Sequence, residues 1–107
     1  MLGELTFIII YFLQYLSELT LMDGTFLQYR PSEIGSAAVA IARHTCGAAD
    51  AWPTVLAELT KYEAGSFQPC VSALQDLFGR ASGMQQQAIR EKYSTKDYCF
   101  VGRKEPL

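Results

Sequence analysis

Four side chains in this sequence are of types that could do chemistry: His44, Cys46, Cys70 and Cys99. A nucleophilic pair needs a base within reach of a thiol or hydroxyl, held in place by a third group. His44 is the only histidine of the chain, and it stands two residues from Cys46. Side chains two apart on a helix do not face each other. Spacing leaves open a pair between His44 and Cys70 or Cys99, but nothing favours one. Three cysteines and one histidine could nominally make a Cys₃His zinc set. Such sites use closely spaced ligand pairs, and this sequence has no CxxC. The segments GRASG (79–83) and GAA (47–49) lack the spacing and the lysine of a phosphate loop. No paired carboxylates sit in an apolar stretch, where one would be held protonated as an acid. The sequence therefore predicts no enzyme, no cofactor and no metal, and it assigns no catalytic or partner-binding residue.

The elements that would position any site are helical. Tyr29 to Gly47 reads YRPSEIGSAAVAIARHTCG, and Ile34, Ala38, Ile41, Ala42 and Thr45 recur at helical spacing. Pro31 suits a first turn, and Gly47 can adopt positive φ and close the helix. Gly35, Ser36, Ala37, Ala38, Ala40 and Ala42 are small enough for neighbours to approach closely. A helix this small and apolar all round predicts a central, buried element over about 31–46.

Before it, Leu5, Ile8, Ile9, Phe12, Tyr15, Leu16, Leu19 and Met22 advance by three and four, which predicts a helix over 3–22. The apolar run Phe7–Leu13 exceeds what a surface helix needs, so it must pack on two sides or face a partner. After the central helix, Asp50 is placed to cap a helix with Pro53 in its first turn. Trp52, Val55, Leu56, Leu59 and Tyr62 would form its apolar face, with Trp52 plugging the core. Ser66 is placed to cap the next helix, whose stripe is Phe67, Cys70, Val71, Leu74, Leu77 and Phe78. A short helix over 84–94, with Ile89 and Tyr93 meeting at i, i+4, and a docking segment Tyr98, Phe100 and Val101 would complete an all-α domain.

The 107 residues, 50% apolar and 19% charged, suit one small core. A net charge of −2 lacks the basic footprint of a nucleic-acid binder. Cys46 and Cys70 read as small core residues, and an odd cysteine count suits a reducing compartment. The apolar stretch Leu5–Leu16 is about a dozen residues, short of the roughly 20 that span a bilayer. It carries no basic flank of a signal peptide. A membrane partner is thus not expected.

The order YLSELTLMDGTFLQYRPSEIGSAAVAIARHT (15–45), then Trp52-Pro53, then CVSALQDL (70–77), then AIREKY (88–93) resembles the C-terminal cyclin box of A/B-type mitotic cyclins. The likeness runs from about Tyr15 to Val101. It implies a cyclin-like five-helix fold around a central helix, on which the periodicity independently agrees. It further implies a regulatory subunit of a cyclin-dependent Ser/Thr protein kinase in cell-cycle control, located in nucleus and cytoplasm. In that family two boxes lie in tandem, and the first carries most of the kinase contact. This sequence shows no first box, so no kinase-binding residue is carried over, and kinase binding is expected to need that box. Upstream of Tyr15 the sequence departs from the pattern. Either the chain is a fragment with a non-native start, or it is a short, divergent cyclin-like protein.

Two other classes compete with the kinase regulator. One is a truncated cyclin-fold adaptor that binds a non-kinase protein through the Phe7–Leu13 face. The other is a membrane-associated helical protein, which rests on residues 5–16 alone.

Overall fold

A computed structural model describes residues 4–48, 50–63, 65–83 and 87–104, with the side chains of residues 4–6 and 82 left aside. Among these residues the chain forms five α-helices and four 3₁₀ turns. The helices are α1 (Glu4–Thr20), α2 (Pro31–Thr45), α3 (Thr54–Thr60), α4 (Gln68–Arg80) and α5 (Ala88–Tyr93). Among the described residues there is no strand.

The middle helix is α2, which packs on α1 along one side and α4 along another. Its small residues make this possible. Ala37, Ala38 and Ala42 have no exposed surface, and Ser36 and Ile41 are also buried. Both ends of α2 are built as its sequence suggests. At the start, Pro31 occupies the first turn, and the Glu33 carboxylate accepts the Arg30 backbone N–H at 3.1 Å. At the end, Gly47 takes φ +84°; its N–H donates to the His44 carbonyl and that of Ala48 to the Arg43 carbonyl. This is a Schellman closure, in which the left-handed residue returns orphan carbonyls to hydrogen bonds.

One core joins α1, α2, α4, α5 and the last 3₁₀ turn. Phe12, Tyr15, Leu16 and Leu19 enter from α1, and Cys70, Leu74, Leu77 and Phe78 from α4. Phe12 meets Phe78 edge to face at 5.1 Å between ring centroids. Tyr93 and Val101 close the far end, with Tyr93 against Tyr15 at 5.6 Å and Tyr98 at 4.5 Å. Phe26, in the 3₁₀ turn Gly24–Gln28, plugs the α1–α2 corner.

Four sequence expectations need correction. First, α2 is the central buried helix expected, but it is covered by α1 and α4 and open elsewhere: Ile34, Val39 and Ala40 are half-buried, and a Cβ built at Gly35 meets nothing within 4 Å. Second, α3 buries none of its residues, and Val55 and Leu59 stand 57% and 76% exposed. Third, the caps differ. Asp50 instead accepts the Trp52 N–H at 3.1 Å, and Pro53 is the N-cap of α3. Ser66 donates to the Glu63 carbonyl, and Phe67 stands at the α4 N-cap. In both places the polar side chain satisfied a closer backbone group in the preceding turn. Fourth, Phe100 is 42% exposed although Val101 beside it is fully buried. Residues 99 and 100 both adopt positive φ, which turns the chain sharply there. Within the GRASG segment, Gly79 and Arg80 belong to α4 and Ala81–Gly83 form a 3₁₀ turn. Of the expected helix over 84–94, Met84–Gln86 lie outside the described residues.

The Phe7–Leu13 run divides between the two fates expected of it. Phe12 is buried, Ile8, Ile9, Tyr11 and Leu13 pack partly on the core, and Phe7 and Ile10 face outward.

Candidate functional site

The side chains with chemical potential are placed apart by environment. Cys70 lies in the core with no exposed surface. Burial, with some help from the nearby Glu33 charge, pushes its thiol up to about 11. Cys46 is half-buried at the α2 C-cap, and burial raises its thiol too, against a partial opposing pull from Lys104. Both therefore stay as protonated thiols at neutral pH, and a thiol is a poor nucleophile. His44 stands on the exposed last turn of α2. All three cysteines are free. Among the described residues, no group of three or more His, Cys, Asp or Glu side chains is placed to hold a metal.

What the fold offers instead is surface. A groove of about 770 Å³ opens between the second half of α2 and α4. Ala40 and Ile41 contribute from α2, Phe67 and Val71 from the α4 side, and Trp52 closes one end. His44, Gln75 and Asp76 stand on its rim. Trp52 is fixed there by its own contacts. Its indole N–H donates to the Tyr62 carbonyl at 2.9 Å, and its ring meets Phe67 edge to face at 4.7 Å. The sequence identified Trp52 as a core plug; the structure leaves it half-buried, as a wall shared by the core and the groove. The groove itself was not foreseen. Its signal was the small-residue face of α2, which was read only as helix-packing surface.

A second cluster ties the ends of the chain together. Lys92 Nζ pairs with Glu18 Oε1 at 3.2 Å and lies over the rings of Tyr93 and Tyr98. The buried Tyr93 hydroxyl faces the Glu18 carboxylate. Burial first, then that hydrogen-bonding contact and the carboxylate's charge, raise its pKa well above the ordinary tyrosine value. The consequence is directional. The unfolded chain releases this proton near pH 10, while the folded chain keeps it. Stability from this group is therefore full below about pH 10 and declines as pH rises beyond it. Urea midpoints taken from roughly pH 8 to pH 11 should fall more steeply for the native chain than for Tyr93→Phe.

Among the described residues the chain is thus an all-α assembly around a small-residue central helix. A profile of the cyclin C-terminal domain matches residues 7–107, and the chain belongs to that family. The match takes in the apolar run upstream of Tyr15. Over 93 residues the chain is 41% identical to a G2/mitotic-specific cyclin-A of Patella vulgata, covering 86% of the chain and 22% of that protein. It is 38% identical over 94 residues to Cyclin-A1 of Homo sapiens, covering 87% and 20%. With Cyclin-A2-1 of Oryza sativa subsp. japonica the figure is 39% over 98 residues, covering 90% and 20%. The chain thus spans about a fifth of the length of the curated relatives it matches. Among the described residues, no helix is long and apolar enough to cross a membrane.

Proposed function

We propose that this chain is the C-terminal cyclin box of an A-type cyclin, a non-catalytic regulatory subunit of a cyclin-dependent Ser/Thr protein kinase in cell-cycle control. One observation carries the reading: the similarity to G2/mitotic-specific cyclin-A covers 86% of the chain. The fold is compatible with it. A helical body built on α2 offers an apolar groove and exposed apolar side chains, which suits a subunit that acts by binding. Such a subunit works by population shift: it binds the active conformation of the kinase better than the inactive one. The chemistry stays with the kinase.

The box acts as one part of a longer regulatory subunit, with the principal kinase contact made by a preceding cyclin box. The outward-facing Phe7 and Ile10 on α1 support this, since apolar side chains at one end of a helix are covered at low cost by a neighbouring domain. Its place of action is the nucleus and cytoplasm, with neither nucleic acid nor membrane as partner.

Copurification tests the proposal. The complete gene product is co-expressed with cyclin-dependent kinases from the same organism and passed over a sizing column. A stable complex with at least one of them is expected. Failure to associate with any would overturn the reading.

A further inference from the structure

The charges of this chain are unevenly placed. Residues 88–107 carry five of its nine basic side chains and three of its eleven acidic ones; residues 1–87 carry four and eight. The net charge of −2 therefore conceals a dipole. Its positive end is the unit formed by α5 and the 3₁₀ turns Lys96–Tyr98 and Val101–Arg103. Lys92 is paired with Glu18. Among the described residues Lys96 and Arg103 meet no carboxylate, and both are exposed. Between them in sequence Phe100 stands 42% exposed, with the Arg103 guanidinium over its ring, 4.6 Å from the centroid. The backbone here is fixed. Cys99 and Phe100 hold φ +54° and +58°, and their N–H groups donate to the Lys96 carbonyl at 3.0 Å and the Thr95 carbonyl at 2.9 Å. Val101 is fully buried, and Gly102 lies against the Arg90 carbonyl. Phe100 is thus held outward by hydrogen bonds on one side and a buried anchor on the other.

We propose that this basic, aromatic end docks a short acidic segment of a partner protein, with an apolar side chain on Phe100 and carboxylates on Arg103 and Lys96. Charge complementarity chooses the occupant. A guanidinium lying over a ring keeps its N–H edge free, in the fork that takes a carboxylate with two hydrogen bonds. The stacked Arg103 and the fixed Phe100 backbone leave less freedom to lose on binding. Arginine and aromatic side chains are also the types that carry most of the energy at interfaces. A nucleic acid fits less well. Its continuous row of phosphates would run on to the rest of the chain, where acidic side chains outnumber basic ones. A short acidic segment meets the positive end alone. Docking here needs nothing beyond this chain, so it does not depend on kinase activation.

The probe is a short fluorescein-labelled peptide in which glutamates flank one phenylalanine. It is titrated with the 107-residue chain and read by fluorescence anisotropy. Saturable binding that weakens with added salt is expected. Phe100→Ser and Arg103→Glu should each weaken it about tenfold or more, the scale of an interface anchor. Lys61→Glu makes the same charge reversal at the exposed C-cap of α3, and should change binding less than about twofold. Alanine in place of the peptide's phenylalanine should cost as much as Phe100→Ser. Should Arg103→Glu fail to fold, Lys96→Glu must show the same loss. No saturable binding by the native chain would overturn the proposal. So would an equal loss in Lys61→Glu, which would reduce the effect to net charge. Tighter binding of a single-stranded oligonucleotide of equal charge would overturn it in favour of nucleic acid. Self-association that Arg103→Glu abolishes, read by sedimentation, would instead assign the surface to a second copy.

Discussion

Replacing Phe12 by alanine is expected to remove about 3–5 kcal/mol of stability, the usual range for emptying a buried aromatic site. Phe12 has no exposed surface and stands where α1 crosses α4, edge to face with Phe78 and 6.2 Å from the ring of Tyr15. The α1 backbone is fixed on both sides by α2 and α4, so the site cannot collapse to fill the void. Domains of this size hold about 5–15 kcal/mol in total. The melting temperature should fall by more than about 10 °C, read by far-ultraviolet circular dichroism. Phe7→Ala, one helical turn and a little more away, is the control. Phe7 is 43% exposed, so its loss should cost under about 1 kcal/mol. Equal costs at the two positions would mean that α1 is rotated from the face described.

Gly102→Ala is the second large effect, and it arises from backbone rather than from a cavity. A Cβ at this position would overlap the Arg90 carbonyl oxygen and meet Ser94 Oγ at 2.7 Å and Ser94 N at 2.9 Å. Two of these three atoms are backbone at the end of α5, and the third is held by its own 2.6 Å bond to the Arg90 carbonyl. None can step aside cheaply. The 3₁₀ turn Val101–Arg103 must lift, and it takes the fully buried Val101 with it. The expected loss is about 3 kcal/mol, the upper end for an overpacked site, measured by urea denaturation. Gly35→Ala should do the opposite. It lies inside α2 with open space around it, so alanine should stabilise by about 0.5–1 kcal/mol.

These effects show which parts of the fold could be read in advance. The stripes of α1, α2 and α4 were legible because each buries one face, and burial of one face imposes a 3.6-residue period on the sequence. Pro31 and Gly47 marked the ends of α2 because their backbone restrictions are local. Gly102 was not legible. Its need for a bare Cα comes from α5, eight to twelve residues earlier in the chain, and nothing in VGR announces that approach. The outward ridge of α3 was misread for a related reason. Val55, Leu56 and Leu59 have the spacing of a packed face, but a seven-residue helix on a pinned neck turns according to its tether rather than its period. The groove escaped notice because small residues signal close approach without saying whether a neighbour comes. The likeness to cyclins, by contrast, lay in ordered segments spread along the chain, and no single residue carried it.

The central claim is that this box belongs to a subunit that switches on a cyclin-dependent kinase. The most direct measurement is the rate at which such a kinase from the same organism phosphorylates a Ser/Thr-containing substrate peptide, with and without the complete gene product. The account predicts a kinase that is nearly silent alone and rises by orders of magnitude as the product is added, saturating at one to one. A rate that stays flat with every such kinase, while the product remains folded and soluble, would contradict it.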